Sequence, residues 1–134
     1  MKGLIIREPW ISKILSGKKT WELRSRPTDY RGKIALIRKG TGMIVGLAEL
    51  TDCLPPLSSA TFDAARDRHG IPPDRDNEVI RAGWVFPWVM SGVRIIDPAI
   101  AAQQKPGAVI WVTLPARVVA EVENRDVTLM RGAA

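Results

Sequence analysis

Gly17-Lys18-Lys19-Thr20-Trp21-Glu22-Leu23-Arg24 places three cations, one carboxylate and one tryptophan in a segment whose residue types read as a single extended strand. Successive side chains of a strand point to opposite faces. Thr20, Glu22 and Arg24 therefore share one face, and Trp21 and Leu23 the other. The second face reads as core. The first gathers an acid, a guanidinium and a hydroxyl, with Lys18 and Lys19 arriving from the turn before it. Two readings of that face stand side by side. It is a solvated edge carrying a Glu-Arg pair, since charged strand residues ordinarily face water, or a surface that collects charge for a partner.

Upstream, Gly3-Leu4-Ile5-Ile6 is too short and too apolar for a helix and reads as a buried strand. Arg7-Glu8-Pro9-Trp10 then opens a helix running to about Ser16, with Pro9 suited to its first turn and Glu8 near its positive end. Trp10, Ile11, Ile14 and Leu15 form its apolar stripe, and Gly17 stands where a left-handed cap is wanted. Trp10 either packs in the core or flanks a cleft beside Arg7.

Downstream, Ser25 to Gly32 is a cationic loop punctuated by Pro27, Asp29 and Gly32. Lys33–Ile37, followed by Arg38-Lys39-Gly40, and Met43–Leu50 read as antiparallel neighbours. Gly46 marks a bulge or a close backbone approach. Cys53 to Leu57 is a connector. Ser58 or Ser59 caps a helix through Thr61 to His69, and residues 70–78 form a loop leading into a short helix ending near Gly83. Trp84 to Met90 returns to β character, with Pro87 placing it at an edge or an irregular strand, and Val93 to Ile96 continues it. Ala99 to Gln104 reads as one helical turn, Pro106-Gly107 as a turn, and Ala108 to Leu114 as a clear strand. Arg117 to Val122 is either a last strand or a helix, and Thr128 to Ala134 is expected to fray. The fold class is α+β: a small, mostly antiparallel β-barrel with an N-terminal helix and a helical insertion.

The 134 residues fit one domain, 1–134, with a core over about 3–114 and a C-terminal extension over 115–134. Cys53 is the only cysteine and His69 the only histidine. An internal disulfide and a multi-cysteine metal site are therefore excluded, and a zinc enzyme or a Ser-His-Asp hydrolase is disfavoured. In Arg66-Asp67-Arg68-His69-Gly70, His69 reads as a surface residue at a helix C-terminus. No apolar run approaches the ~20 residues of a membrane span, and Met1-Lys2-Gly3 leads into a strand without a secretory h-region. The expected compartment is the cytoplasm. No metal and no cofactor are expected.

Charge is unevenly distributed. Residues 1–40 hold eleven cations against three acids, a net +8, and the remaining nine cations and eleven acids give −2. All the excess positive charge lies in the first third, which points to a polyanionic partner touching that part.

With these residues in place, the chain resembles the ASCH family, the activating-signal-cointegrator homology domains of the PUA-like barrels. The resemblance rests on Glu8-Pro9-Trp10 opening a helix and on Gly-x-Lys-x-x-Glu-x-Arg at Gly17, Lys19, Glu22 and Arg24. It continues through Arg31-Gly32 before a strand ending in Lys39, Ile44-Val45-Gly46 with Asp52-Cys53 beyond, the Trp84–Met90 strand and the Gly107–Leu114 strand. It implies a PUA-like barrel with a cleft between the first helix and the motif strand. Family members are linked to RNA or DNA binding, to RNA cleavage and, in a small subgroup, to hydrolysis of N4-acetylcytidine.

Transferred to this chain, the resemblance implies RNA, another nucleic acid or a nucleotide-like ligand as partner. The expected contacts are Arg7, Trp10, Lys18, Lys19, Thr20, Glu22, Arg24, Arg38 and Lys39. For metal-free cleavage, Glu22 is the candidate base and Lys19 or Arg24 the electrostatic partner. For the amidohydrolase activity, Lys19 matches the subgroup's lysine, but Glu22 stands where the subgroup has threonine. Thr20 would have to substitute, with Glu78 as the distant glutamate. A protein-interaction module like the coactivator relatives is the third expectation.

Overall fold

Gly3-Leu4-Ile5-Ile6 does form a strand, and the sheet is built outward from it. The computed structural model describes residues 1–103 and 110–132. β1 (Lys2–Ile6) runs parallel to β3 (Gly32–Arg38) and antiparallel to the short β6 (Trp111–Thr113). β3 pairs antiparallel with β4 (Met43–Cys53), β4 with β5 (Phe86–Ala101), and β5 with β2 (Trp21–Arg24). The order is β2-β5-β4-β3-β1-β6. The sheet curls into a half-barrel: Trp88 of β5 stacks on Trp111 of β6, 5.6 Å between ring centroids, although three strands separate β5 from β6 in the order.

β1 and β3 are buried on both faces, which is why they read as unbroken apolar runs. Leu4, Ile6, Ile34 and Leu36 belong to one core cluster, and Ile5, Ala35 and Ile37 to the other. The first cluster is covered by α1 (Trp10–Leu15), through Trp10, Ile11 and Ile14, and by the insertion between β4 and β5. That insertion comprises α2 (Ser59–Ala64), α3 (Arg66–His69), a 3-10 turn (Pro73–Arg75) and α4 (Asp76–Arg81). The second cluster is covered by α5 (Ala116–Gly132), through Val118 and Val122.

Gly46 is a point of close approach, as its position in the strand suggested. A Cβ there would lie 2.6 Å from Leu15 Cδ2 and 3.1 Å from the Arg94 carbonyl oxygen, and the β4–β5 register shifts between Ile44 and Gly46. Glycine lets α1 sit down on the sheet at this point. Gly46→Val is expected to lower stability by about 1–3 kcal/mol, the usual cost of overpacking, read from the urea midpoint. Leu15→Ala in the same protein should recover part of it, because one of the two obstacles is that side chain.

Several expectations are corrected. Trp84–Met90, Val93–Ile96 and the proposed helical turn from Ala99 merge into the single strand β5, because its far end pairs with Met43 and Ile44 and buries Ile100. Trp84 itself precedes that strand. Gln104, Ala108, Val109 and the Pro106-Gly107 turn lie outside the described residues, and the strand described there is Trp111–Thr113. The helix expected over Thr61–His69 is two pieces joined at Ala65. Ser58 is its cap, accepting from the Thr61 N–H at 3.2 Å in a capping box.

The ambiguous tail is helical, and Arg117–Val122 is not a strand. Val118 and Val122, one helical turn apart, bury against the sheet and decide the matter. The helix continues through the stretch from Thr128 to Gly132 that was expected to fray, and the last two residues lie outside the described part. Among the described residues no helix is long and apolar enough to cross a membrane.

Candidate nucleic-acid and nucleotide site

The segment joining α1 to β2 is pinned on three sides. The Lys19 N–H donates to the Lys13 carbonyl of α1 at 3.1 Å and the Thr20 N–H to the Arg68 carbonyl of α3 at 2.9 Å. The Thr20 carbonyl accepts from the Met90 N–H of β5 at 2.9 Å. This clamp directs the Lys19 side chain inward, under the insertion. Lys19 is only 1 % exposed and Glu22 only 4 %. The solvated-edge reading of the motif face is therefore overturned: the acid and one of its cations are core residues.

The buried charges form a chain. Glu22 Oε2 accepts from Arg24 Nε at 3.0 Å and Nη2 at 2.8 Å, and the same Nη2 donates to the Ile5 carbonyl at 2.9 Å. Glu22 Oε1 takes no hydrogen bond among the described residues; Lys19 Nζ stands 3.8 Å away. That amine donates instead to the His69 carbonyl at 2.6 Å and lies over the Trp10 ring, 5.3 Å from its centroid. Burial drives the Lys19 pKa down to about 8, against the opposing pull of Glu22. A fraction of this amine is thus neutral near physiological pH, which an exposed lysine is not.

Lys19, Glu22 and Arg24 line one cavity of about 250 Å³, together with Arg7, Trp10, Trp84 and the exposed Lys39 and Ser25. Leu23, Ile71 and Val79 supply apolar wall. Arg7 lies over the Trp84 ring, 4.9 Å from its centroid, and its Nη2 is buried without a hydrogen-bond partner among the described residues. Of the nine residues expected to contact nucleic acid, six converge here: Arg7, Trp10, Lys19, Glu22, Arg24 and Lys39.

The other three do not. Lys18 is exposed outside the cavity. Thr20 does not line it, and its hydroxyl is buried without a partner among the described residues. Arg38 pairs with Glu8 beside the start of α1. Glu78 is likewise outside, exposed and held by Arg75 through two bonds of 3.1 Å. Among the described residues no threonine lines the cavity.

Sequence reasoning missed the part played by the insertion. His69, expected at the surface, is fully buried: Ile71 N–H donates to its Nδ1 at 2.9 Å, and Nε2 bonds the Phe62 carbonyl at 2.7 Å. A histidine with both ring nitrogens satisfied can be buried neutral, and its charged neighbours in the sequence conceal that. The tryptophans divide. Trp84 faces the cavity, whereas Trp88 is core, donating Nε1–H to the Arg26 carbonyl at 2.9 Å. Among the described residues no cluster of His, Cys, Asp and Glu is placed to hold a metal ion.

Comparison with solved structures finds the same fold. A crystal structure of ASCH from Zymomonas mobilis superposes with a TM-score of 0.72 at 13 % identity, covering 92 % of this chain and 93 % of that one. A serine-to-alanine variant of the same protein gives 0.71 at 14 % identity, covering 92 % and 94 %. A tyrosine-to-phenylalanine variant gives 0.66 at 15 %, covering 92 % and 96 %. No curated protein matches the sequence. The family model described as the ASCH domain matches residues 4–123, from β1 into α5, and the chain therefore belongs to the ASCH domain family.

Proposed function

We propose that this protein binds RNA by receiving one unpaired base, or a nucleotide-like ligand, in the cavity around Lys19, Glu22 and Arg24. One observation carries the reading: Glu22 Oε1, which faces Lys19 Nζ at 3.8 Å and takes no hydrogen bond among the described residues, lies inside an apolar-walled pocket whose exposed edge is cationic. A cavity of about 250 Å³ is at the small end of ligand sites, so it suits one base rather than a strand. Trp84 and Trp10 offer aromatic faces, and base stacking is worth ~1–3 kcal/mol per base. Glu22 Oε1 accepts from a base N–H, and Lys39 and Arg7 meet the phosphates that follow. On this reading the curled sheet is a PUA-like scaffold and the insertion is its roof.

Anisotropy of a labelled single-stranded RNA, with EDTA present and followed over an hour, tests this. Lys39→Ala should weaken binding and reduce the slope of log affinity against log salt by about 0.7, the value for one lost phosphate contact on a single strand. An unchanged slope and affinity in both Lys39→Ala and Arg7→Gln removes the cavity assignment and favours a protein-interaction module. A signal that rises and then decays indicates cleavage, with Glu22 taking the 2′-hydroxyl proton and Lys19 and Arg24 facing the charged phosphorane.

The Lys19 amine, held near 8, favours one second reading: hydrolysis of an acylated nucleoside, in which neutral Lys19 takes a proton from an attacking water. With no threonine in the cavity among the described residues, the nucleophile is water, or the hydroxyl of Ser25 at the exposed edge, and Lys19 returns the proton to the departing amine as the C–N bond breaks. Absence of acetate release from N4-acetylcytidine excludes that reading.

A further inference from the structure

We propose that His69 is the positioning residue for Lys19: its ring fixes the turn whose carbonyl anchors the buried amine. The inference rests on the pocket assigned above, although its test does not. His69 Nδ1 accepts from the Ile71 N–H, so the ring proton sits on Nε2 and is donated to the Phe62 carbonyl. The ring also lies against Phe62, 4.3 Å between centroids. Both ends of the imidazole are committed, and the chain between residues 69 and 71 is locked to α2.

That locked turn carries the contacts the pocket uses. The His69 carbonyl receives Lys19 Nζ at 2.6 Å, and the Gly70 carbonyl receives Lys13 Nζ from α1 at 2.7 Å. Ile71 is a wall of the cavity. Gly70 has φ +65, and a Cβ there would stand 3.3 Å from Lys19 Cβ, so the turn and the lysine stem are fitted to each other. One ring thus fixes three things at once: the roof, the amine and the gap between them.

The arrangement depends on a neutral ring. A second proton has only Nδ1 to occupy, where the Ile71 N–H already points, and two donors would then face each other. Lys19 from the segment before β2, Lys13 from α1 and Arg66 of α3 are the cations around this turn, and Asp76 of α4, paired with Arg66, is the acid. Burial, with Lys19 and Arg66 adding to it, keeps His69 below its ordinary range. Acidification through and below ~6.5 therefore releases the turn, since the opened state takes up the proton more readily than the closed one.

The test is NMR of the lysine side-chain nitrogens, with Lys19 assigned by Lys19→Arg. Wild-type Lys19 is expected to titrate near 8. In His69→Ala its titration should move up by at least one pH unit toward the ordinary ~10.4, because burial is the main cause of the lowering and the rehydration of a released amine outweighs the loss of its carbonyl acceptor. His69→Asn, whose Oδ1 can accept the Ile71 N–H, should hold it nearer to 8. A Lys19 titration indifferent to His69→Ala overturns the proposal.

If His69→Ala does not fold, the wild-type protein and His69→Asn still decide. Ile71 amide protection, corrected for intrinsic exchange, should fall in the wild type as the pH drops below ~6.5 and stay level in His69→Asn. Equal behaviour of the two overturns it. If Lys19 responds to His69 while RNA fails to bind the wild type, the functional reading falls and the positioning role stands.

Discussion

Glu22→Ala should lower the stability of the fold by about 3–5 kcal/mol, the cost of leaving a buried charge without its partner. For a chain of this size that is a fall of ~10–20 °C in thermal midpoint. The reason is the order of the charges. Lys19 is almost wholly enclosed, its one hydrogen-bond partner among the described residues is a neutral carbonyl, and the carboxylate 3.8 Å away is its counter-charge. Arg24 puts two donors on the same carboxylate. Removing the acid leaves Lys19 and Arg24 without their shared counter-charge in a cavity that Arg7 and Lys39 also line. RNA binding should be lost as well, even at temperatures where the variant is folded.

Lys19→Met added to Glu22→Ala should restore part of the lost stability, because it removes the stranded charge; a positive coupling in this double-mutant cycle is the signature of a buried pair. The pH dependence has a definite sign. The folded Lys19 releases its proton near 8 and the unfolded one near ~10.4, so the unfolded state binds more protons between those values and the wild type gains stability as pH rises through them. Glu22 is the group that holds the Lys19 pKa up. Without it the gain begins at lower pH, and the deficit of Glu22→Ala should shrink between pH 7 and 9. A deficit below ~1 kcal/mol and independent of pH would place Glu22 and Arg24 on a solvated face after all.

The parts of this molecule that could be read in the sequence are those whose local pattern and burial agree. β1 and β3 are continuous apolar runs because both faces are covered, and α1 carries its stripe and its terminal glycine in eight residues. The motif face was legible as a set of residue types and not as a depth. Nothing local says that Lys19 and Glu22 are buried, because what buries them is the insertion some fifty residues away. His69 reads as the exposed end of a helix and Ile71 as part of the loop after it, and only the fold brings the one over Lys19 and the other into the cavity with Trp10. Six of the nine proposed contacts share the cavity because the curl of the sheet brings β2, at one edge, to β1, near the other. There Arg24 Nη2 meets the Ile5 carbonyl at 2.9 Å, and α1 and the residues just past β1 and β3 line the same space. Arg38 and Lys39 are sequence neighbours, yet Arg38 pairs with Glu8 and Lys39 lines the cavity, a distinction made by the strand end and invisible to a charge count.

The other large effect is expected on the opposite face. Asp126 of α5 is 3 % exposed and holds two cations of the sheet: Arg94 donates through Nε and Nη2 at 2.5 and 2.9 Å, and Lys33 Nζ at 2.5 Å. These bonds keep its carboxyl at about 2, Arg94 contributing most. An unfolded aspartate titrates near ~3.9. The folded value is the lower one, so the stabilisation is fully present above about pH 4 and is lost as pH falls toward 2; integrated, it amounts to roughly 2–3 kcal/mol. Asp126→Asn should lose about that much at pH 7, read from urea midpoints, and should converge with the wild type as the pH approaches 2. Glu123→Gln, which removes a half-exposed partner of Lys33 at 3.1 Å, should cost well under ~1 kcal/mol. A constant gap between wild type and Asp126→Asn from pH 7 to 2 would mean that the aspartate acts by packing and not by charge. Because α5 covers the core cluster on the face away from Trp10 and Ile71, Asp126→Asn should bind RNA like the wild type wherever it is folded. Glu22→Ala should not, and this separates a lesion of the fold from a lesion of the pocket.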